Sequence, residues 1–155
     1  MPESVAAFIH RHDVERVPAL VALRYQRMQA DALAFFRGSA PLYYARHGHE
    51  PRLRAAPATG FAGDAQVDNF GSYRGDNGLV YLDVNDFDKA LRGPLLWDVG
   101  WLAVSVLLAA ARLGVPAAER SAAVRELLAT YAATLATGGL HVGASHGHWR
   151  GAPAI

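Results

Sequence analysis

The feature that most constrains this chain is a hairpin signature in its middle. Asn69 to Tyr73 and Leu79 to Val84 are two short strand-like runs. Between them lies Arg74-Gly75-Asp76-Asn77-Gly78, a stretch of turn residues in which Asn-Gly tolerates positive φ. A hairpin sets the outer ends of its strands side by side. Asn69 opens the first strand and Asp86 lies just past the second, so the two are expected to face each other. Asp64 sits on the loop leading in, five residues before Asn69.

Helical patterns flank this centre. Val17, Leu20, Val21 and Met28 recur at helical spacing, with Pro18 at a position where a missing N–H costs nothing, so a helix is expected over 17–31. Ala34 to Gly38 follows with Gly38 as its stop, and a short helix covers Pro41 to Arg46. His47 to Gly60 lacks periodicity and reads as loop. After Gly93-Pro94, residues 96–113 are apolar on every side, which marks a central helix. Gly114-Val115-Pro116 breaks it. A last helix spans 116–137, with Val124, Leu127, Leu128, Tyr131 and Leu135 in one stripe and Gly138-Gly139 at its end. The expected layout is a polar, loosely ordered segment at 1–16, a folded segment at 17–137 and a flexible tail at 138–155. The fold class is α+β, mainly helical, with one hairpin.

Composition narrows the function. The net charge is +1 and the arginines are scattered, so no basic face for nucleic acid is expected. There is no cysteine, which excludes disulfides and thiolate metal sites. No secretory signal precedes residue 12, and the most apolar run, 99–111, is too short to span a bilayer. A cytoplasmic protein without membrane partners is the expectation. Lys89 is the only lysine.

The chemistry-bearing window is Gly63-Asp64-Ala65-Gln66-Val67-Asp68-Asn69-Phe70-Gly71, the hairpin, then Val84-Asn85-Asp86-Phe87-Asp88. Side-chain oxygens from Asn69 and Asp86 suit a hard cation such as Mg²⁺, which completes its shell with phosphate oxygens and water. Asp64 is then left to accept or orient a hydroxyl proton, the division of labour in phosphoryl transfer. Other groupings read as structural. His141, His146 and His148, and the pair His47 and His49, lack metal-site spacing and sit in Gly-rich loop. Ser39 and Ser105 have no nucleophile-elbow context. Trp97 and Trp101 are one helical turn apart and read as core, and Tyr43-Tyr44 as core or interface.

The order Gly-Asp-x-x-x-x-Asn, hairpin, Asp-Phe-Asp, Gly-Pro, Trp-Asp, buried helix resembles aminoglycoside- and choline-kinase-type phosphotransferases. With Arg16 to Val21, Arg24 to Met28, Phe35 to Ala40 and Arg92 to Asp98 added, it resembles more closely the bacterial domain of unknown function 2252 family, over roughly residues 14–137. The resemblance implies a kinase-like catalytic lobe using Mg²⁺ and ATP on an unknown small-molecule acceptor. It implies Asp64 as catalytic base and Asn69 and Asp86, with Asp88, as metal residues. It also implies that Asp98 is the buried aspartate tying the helix to the catalytic loop. Arg37 is a family feature without a derived role. Two positions depart from the family. Gln66 stands where His is usual, and Lys89 where an acidic residue is usual, placing a cation that could hold a phosphate or discourage the metal. The chain contains no Gly-x-Gly-x-x-Gly, and its lysine is committed to the Asp-Phe-Asp loop. The nucleotide lobe is therefore expected to be missing, leaving a bare face open to that lobe or to self-association. The rival expectation is a non-catalytic remnant or binding module of the same fold.

Overall fold

A computed structural model describes residues 3–137. The tail, with its three histidines and the Gly138-Gly139 stop, lies outside the described residues. The architecture is α+β. Helices α1 (Val5–His12), α2 (Pro18–Met28), α3 (Ala32–Gly38), α4 (Ala40–His47) and α5 (Pro51–Arg54) come first. Strands β1 (Ala58–Phe61), β2 (Phe70–Arg74), β3 (Val80–Val84) and β4 (Leu91–Pro94) follow, then α6 (Leu96–Arg112) and α7 (Ala117–Ala136).

The two last helices and the hairpin fall where the sequence places them. β2 and β3 pair antiparallel from Phe70–Val84 to Arg74–Val80. Of the turn residues only Gly78 takes positive φ, at 77°. α6 is the most buried helix, with Val99, Trp101 and Ser105 inside. Three corrections concern the rest. The segment expected to be loose at 1–16 is ordered over its described residues, 3–16, because α1 forms there, capped by the Ser4 hydroxyl accepting from Ala7 N. Its end is anchored too: Asp13 is 3% exposed, accepts from the Arg16 Nε at 2.9 Å and is paired with Arg24. The early helix is shorter than 17–31 and ends at Met28; Asp31 instead caps α3, accepting from Ala34 N at 2.9 Å.

The third correction is the stretch from His47 to Gly60, which holds α5 and most of β1. β1 pairs antiparallel with β4, Ala58 opposite Pro94 and Phe61 opposite Leu91. The pairing has a consequence for function. Everything from Ala62 to Ala90 is an excursion whose two ends are clamped side by side, and β4 leads directly into α6. Loop, hairpin and helix are thereby fixed to one another.

An aromatic cluster fills the space between α3, α4, β1 and α6. The Trp101 ring is fully buried, stacks on Phe36 at 3.8 Å between centroids and meets Tyr43 edge-on at 4.9 Å. Trp97 packs against Tyr44 and Phe61 at 5.6 and 5.8 Å. Trp101 is thus a core residue, while Tyr43, Tyr44 and Trp97 pack around it half-buried. Such rings bury the most area per residue.

Candidate functional site

The loop from Phe61 to Gln66 is buried at every residue. Past Phe61, the end of β1, five consecutive residues off regular structure would leave many backbone groups short of partners. Side chains from α4 and α6 supply them. The Asp98 carboxylate accepts from Ala62 N at 2.6 Å and Gly63 N at 3.2 Å. The Tyr44 hydroxyl donates to Gly63 O at 3.0 Å. Ser105 Oγ accepts from Val67 N at 3.0 Å and donates to Leu102 O at 2.7 Å. Through its bonds to Ala62 N and Gly63 N, Asp98 joins α6 to the loop.

Burial sets the titration of these groups. It raises Asp98 above the ordinary carboxylate range, the two backbone N–H bonds work against that, and the nearby Asp64 charge adds to it. Burial pushes the Tyr44 hydroxyl well up, with Asp98 adding to it, and Tyr43 is raised for the same two reasons. Both phenols stay protonated at neutral pH and act as donors, Tyr43 to Trp97 O at 3.2 Å.

Asp64 is 5% exposed. Its Oδ1 accepts from the Trp101 indole N–H at 3.0 Å and its Oδ2 from Lys89 Nζ at 2.6 Å. Lys89 also lies 3.9 Å from Asp88 Oδ1, so its ammonium stands between two carboxylates. Asn69 closes the loop from the other end: its Nδ2 donates to Asp64 O at 2.8 Å and its Oδ1 faces Gln66 Nε2 at 3.5 Å. Gln66 is 1% exposed, and its Oε1 has no partner among the described residues.

Asn69, Asp86 and Asp88, expected from the sequence to hold a metal ion, are gathered only in part. Asn85 N donates to Asn69 O at 2.8 Å, which sets the end of β3 against the start of β2 and leaves Asp86 next to that junction. Asp86 Oδ1 accepts from Asp88 N at 3.1 Å, a local turn bond, and Asp88 is exposed. Among the described residues no three His, Cys, Asp or Glu side chains are grouped to hold a metal ion. Arg37 pairs with Asp68 at 3.1 Å, both partly exposed.

Two site residues were invisible in sequence. Trp101 is core, yet its N–H also orients Asp64 across 37 positions. Ser105, set aside as a nucleophile, is a fully buried loop anchor. The available signal was spacing: Asp98, Trp101 and Ser105 fall three and four apart and share a helix face.

Among the described residues no helix is long and apolar enough to cross a membrane. No curated protein and no solved structure matches the chain. Residues 16–141 match a family described as an uncharacterized protein conserved in bacteria, domain of unknown function 2252. That match takes in α2 through α7, including every residue of the loop, hairpin and anchoring helix, and the chain belongs to this family.

Proposed function

We propose that the chain is the catalytic segment of a kinase-like, Mg²⁺-dependent phosphotransferase acting on a small-molecule hydroxyl. The observation that carries this reading is how Asp64 is held. It is nearly buried, the backbone just before it is held by Asp98 at Ala62 and Gly63, its own carbonyl is held by Asn69, and its carboxylate is aimed by Trp101. A carboxylate so fixed can take the proton of an acceptor hydroxyl as the new O–P bond forms and the bond to the leaving diphosphate breaks. Positioning of this kind is the larger part of catalysis in phosphoryl transfer.

The donor set at Asn69, Asp86 and Asp88 is all oxygen, which fits a hard cation. Those residues would hold Mg²⁺, and the ion supplies charge neutralisation on the transferred phosphoryl group. The 155 residues contain one lysine and no Gly-x-Gly-x-x-Gly, so on this reading they do not themselves supply the cover over ATP. By itself the chain is expected to bind Mg²⁺ weakly, bind ATP barely and turn none over.

A second reading rests on Lys89. Its ammonium occupies the Asp64 oxygen that a hydroxyl would approach. A fixed cation there suits a binding module that keeps the fold without the chemistry. Calorimetry of ATP binding with and without Mg²⁺ separates the two, on this chain and on one extended by the polypeptide encoded downstream. The catalytic reading expects Mg²⁺-dependent binding on the extended chain only, with transfer abolished by Asp64→Ala or Asp86→Asn. An extended chain that binds no nucleotide supports the binding module.

A further inference from the structure

A cationic cleft opens beside the Asp64 loop. It measures about 570 Å³, and Arg16, Arg24, Arg37 and Lys89 stand in its wall with Asp13 and Asp88. A second hollow of about 340 Å³ shares Arg37 and Lys89 and adds Arg27, Asp64 and Gln66. The two adjoin at those shared side chains.

The donors and acceptors are unequally placed. Asp13 is buried beneath Arg16 and Arg24, both on its Oδ1 while its buried Oδ2 has no partner among the described residues, and Asp64 is buried beneath Lys89, so the charge of each carboxylate is countered by a cation of the cleft. Asp88, 66% exposed, is a rim residue. Arg24 is spent on Asp13 and the Gly38 carbonyl. Arg16 uses its Nε on Asp13 and Arg37 one terminal nitrogen on Asp68. A guanidinium has five N–H donors, so each keeps a further edge to offer. The Arg37–Asp68 pair is half exposed, and such a pair yields readily to a better partner. Deeper in, the Gln66 amide presents Oε1 without a partner, 1% exposed. A buried acceptor of this kind needs a donor, which a water or a ligand hydroxyl can supply.

We infer that the cleft and the adjoining hollow bind a small hydroxylated oxyanion, a phosphate ester being the class that fits. Its phosphoryl oxygens lie on Arg16, Arg37 and Lys89, and its hydroxyl reaches Gln66 beside Asp64. Volumes of this size suit a small metabolite, and guanidinium forks match phosphoryl geometry. Binding alone is at issue, so the inference holds for a catalytic segment and for a binding module alike.

Lys89 is the only lysine, which makes its acylation a single-site reporter by peptide mass spectrometry. The full chain is acylated at constant ionic strength with glycerol phosphate, inorganic phosphate, glycerol or chloride. Glycerol phosphate is expected to slow Lys89 acylation about ten-fold, the equivalent of one charge-assisted hydrogen-bonded contact. Phosphate should protect less, and glycerol and chloride not at all. Arg37→Gln and Arg16→Gln should each remove the protection, while Arg52→Gln on α5 should leave it intact. Arg16 is 60% exposed in its side chain, so its variant reads binding even if Arg37→Gln unfolds the chain. An unprotected Lys89, or protection lost equally in Arg52→Gln, overturns the proposal. Equal protection by phosphate and glycerol phosphate overturns the role given to Gln66.

Discussion

The loop from Phe61 to Gln66 and the hairpin that follows it are held by opposite means. Past Phe61 the loop has no regular structure, yet every residue is buried, its groups are tied to Tyr44, Asp98 and Trp101, and Ser105 holds the next N–H, that of Val67. The hairpin is regular and mostly exposed, with Val80 at 65% and Leu82 at 76%. It relies on its own ladder and on the stacked rings of Tyr73 and Tyr81, 5.6 Å apart. A lone two-stranded hairpin is marginal in water. Precision therefore resides in the irregular segment, which presents Asp64, and the regular segment is the adjustable one.

The sharpest test uses two glycines with the same backbone conformation. Gly63 and Gly78 both have φ of 77°. A Cβ on Gly63 would collide with the Lys89 carbonyl, whereas one on Gly78 meets nothing within 4 Å. Gly63→Ala is expected to cost about 3 kcal/mol, from left-handed strain plus overpacking. Gly78→Ala should cost about 1 kcal/mol, from strain alone. Urea unfolding measures both, and equal losses would break the contrast.

Next in size is Trp101→Phe, which leaves Asp64 Oδ1 without its donor and is expected to cost about 2 kcal/mol. Leu82→Thr on the hairpin should stay within about 0.5 kcal/mol. A hairpin substitution as costly as the core one would mean that β3 is covered by something in solution.

The smallest effect is in pH. The folded-state pKa of Asp98 is raised, so the folded chain holds this proton more tightly than the unfolded chain. Stability from this group is greatest below the unfolded pKa. It falls as pH rises through the window up to the raised folded value, and is flat above it. Carboxyl-carbon NMR should give Asp98 a midpoint above that of an ordinary aspartate. A midpoint at or below it would show that the Ala62 and Gly63 bonds outweigh burial.

The same contrast explains what could be read from sequence. The hairpin was legible because its cause is local: strand runs around Asn77-Gly78. α6 and α7 were legible because apolar spacing persists over many turns. The partner of Asp98 was reached through family resemblance. β1 and β4 were not legible, because Ala-Thr-Gly-Phe and Leu-Arg-Gly-Pro have little strand propensity and form by pairing across a long excursion. α1 does carry local signals, a Ser4 cap and Val5, Phe8 and Ile9 at helical spacing, but it lasts only two turns and is held by the distant Asp13–Arg24 pair. The Asp64–Trp101 and Asp64–Lys89 bonds join residues 37 and 25 apart, and no local rule reports them.

The claim that the loop–hairpin junction is a metal-binding catalytic site is tested most directly by titrating Mg²⁺ into the chain and following amide NMR shifts. The account predicts saturable, concerted shifts at Asn69, Asp86 and Asp88, lost in Asp86→Asn, with Asp76 at the hairpin tip unmoved. Shifts spread evenly over exposed carboxylates such as Asp76 and Asp83, or no shifts at all, would contradict it.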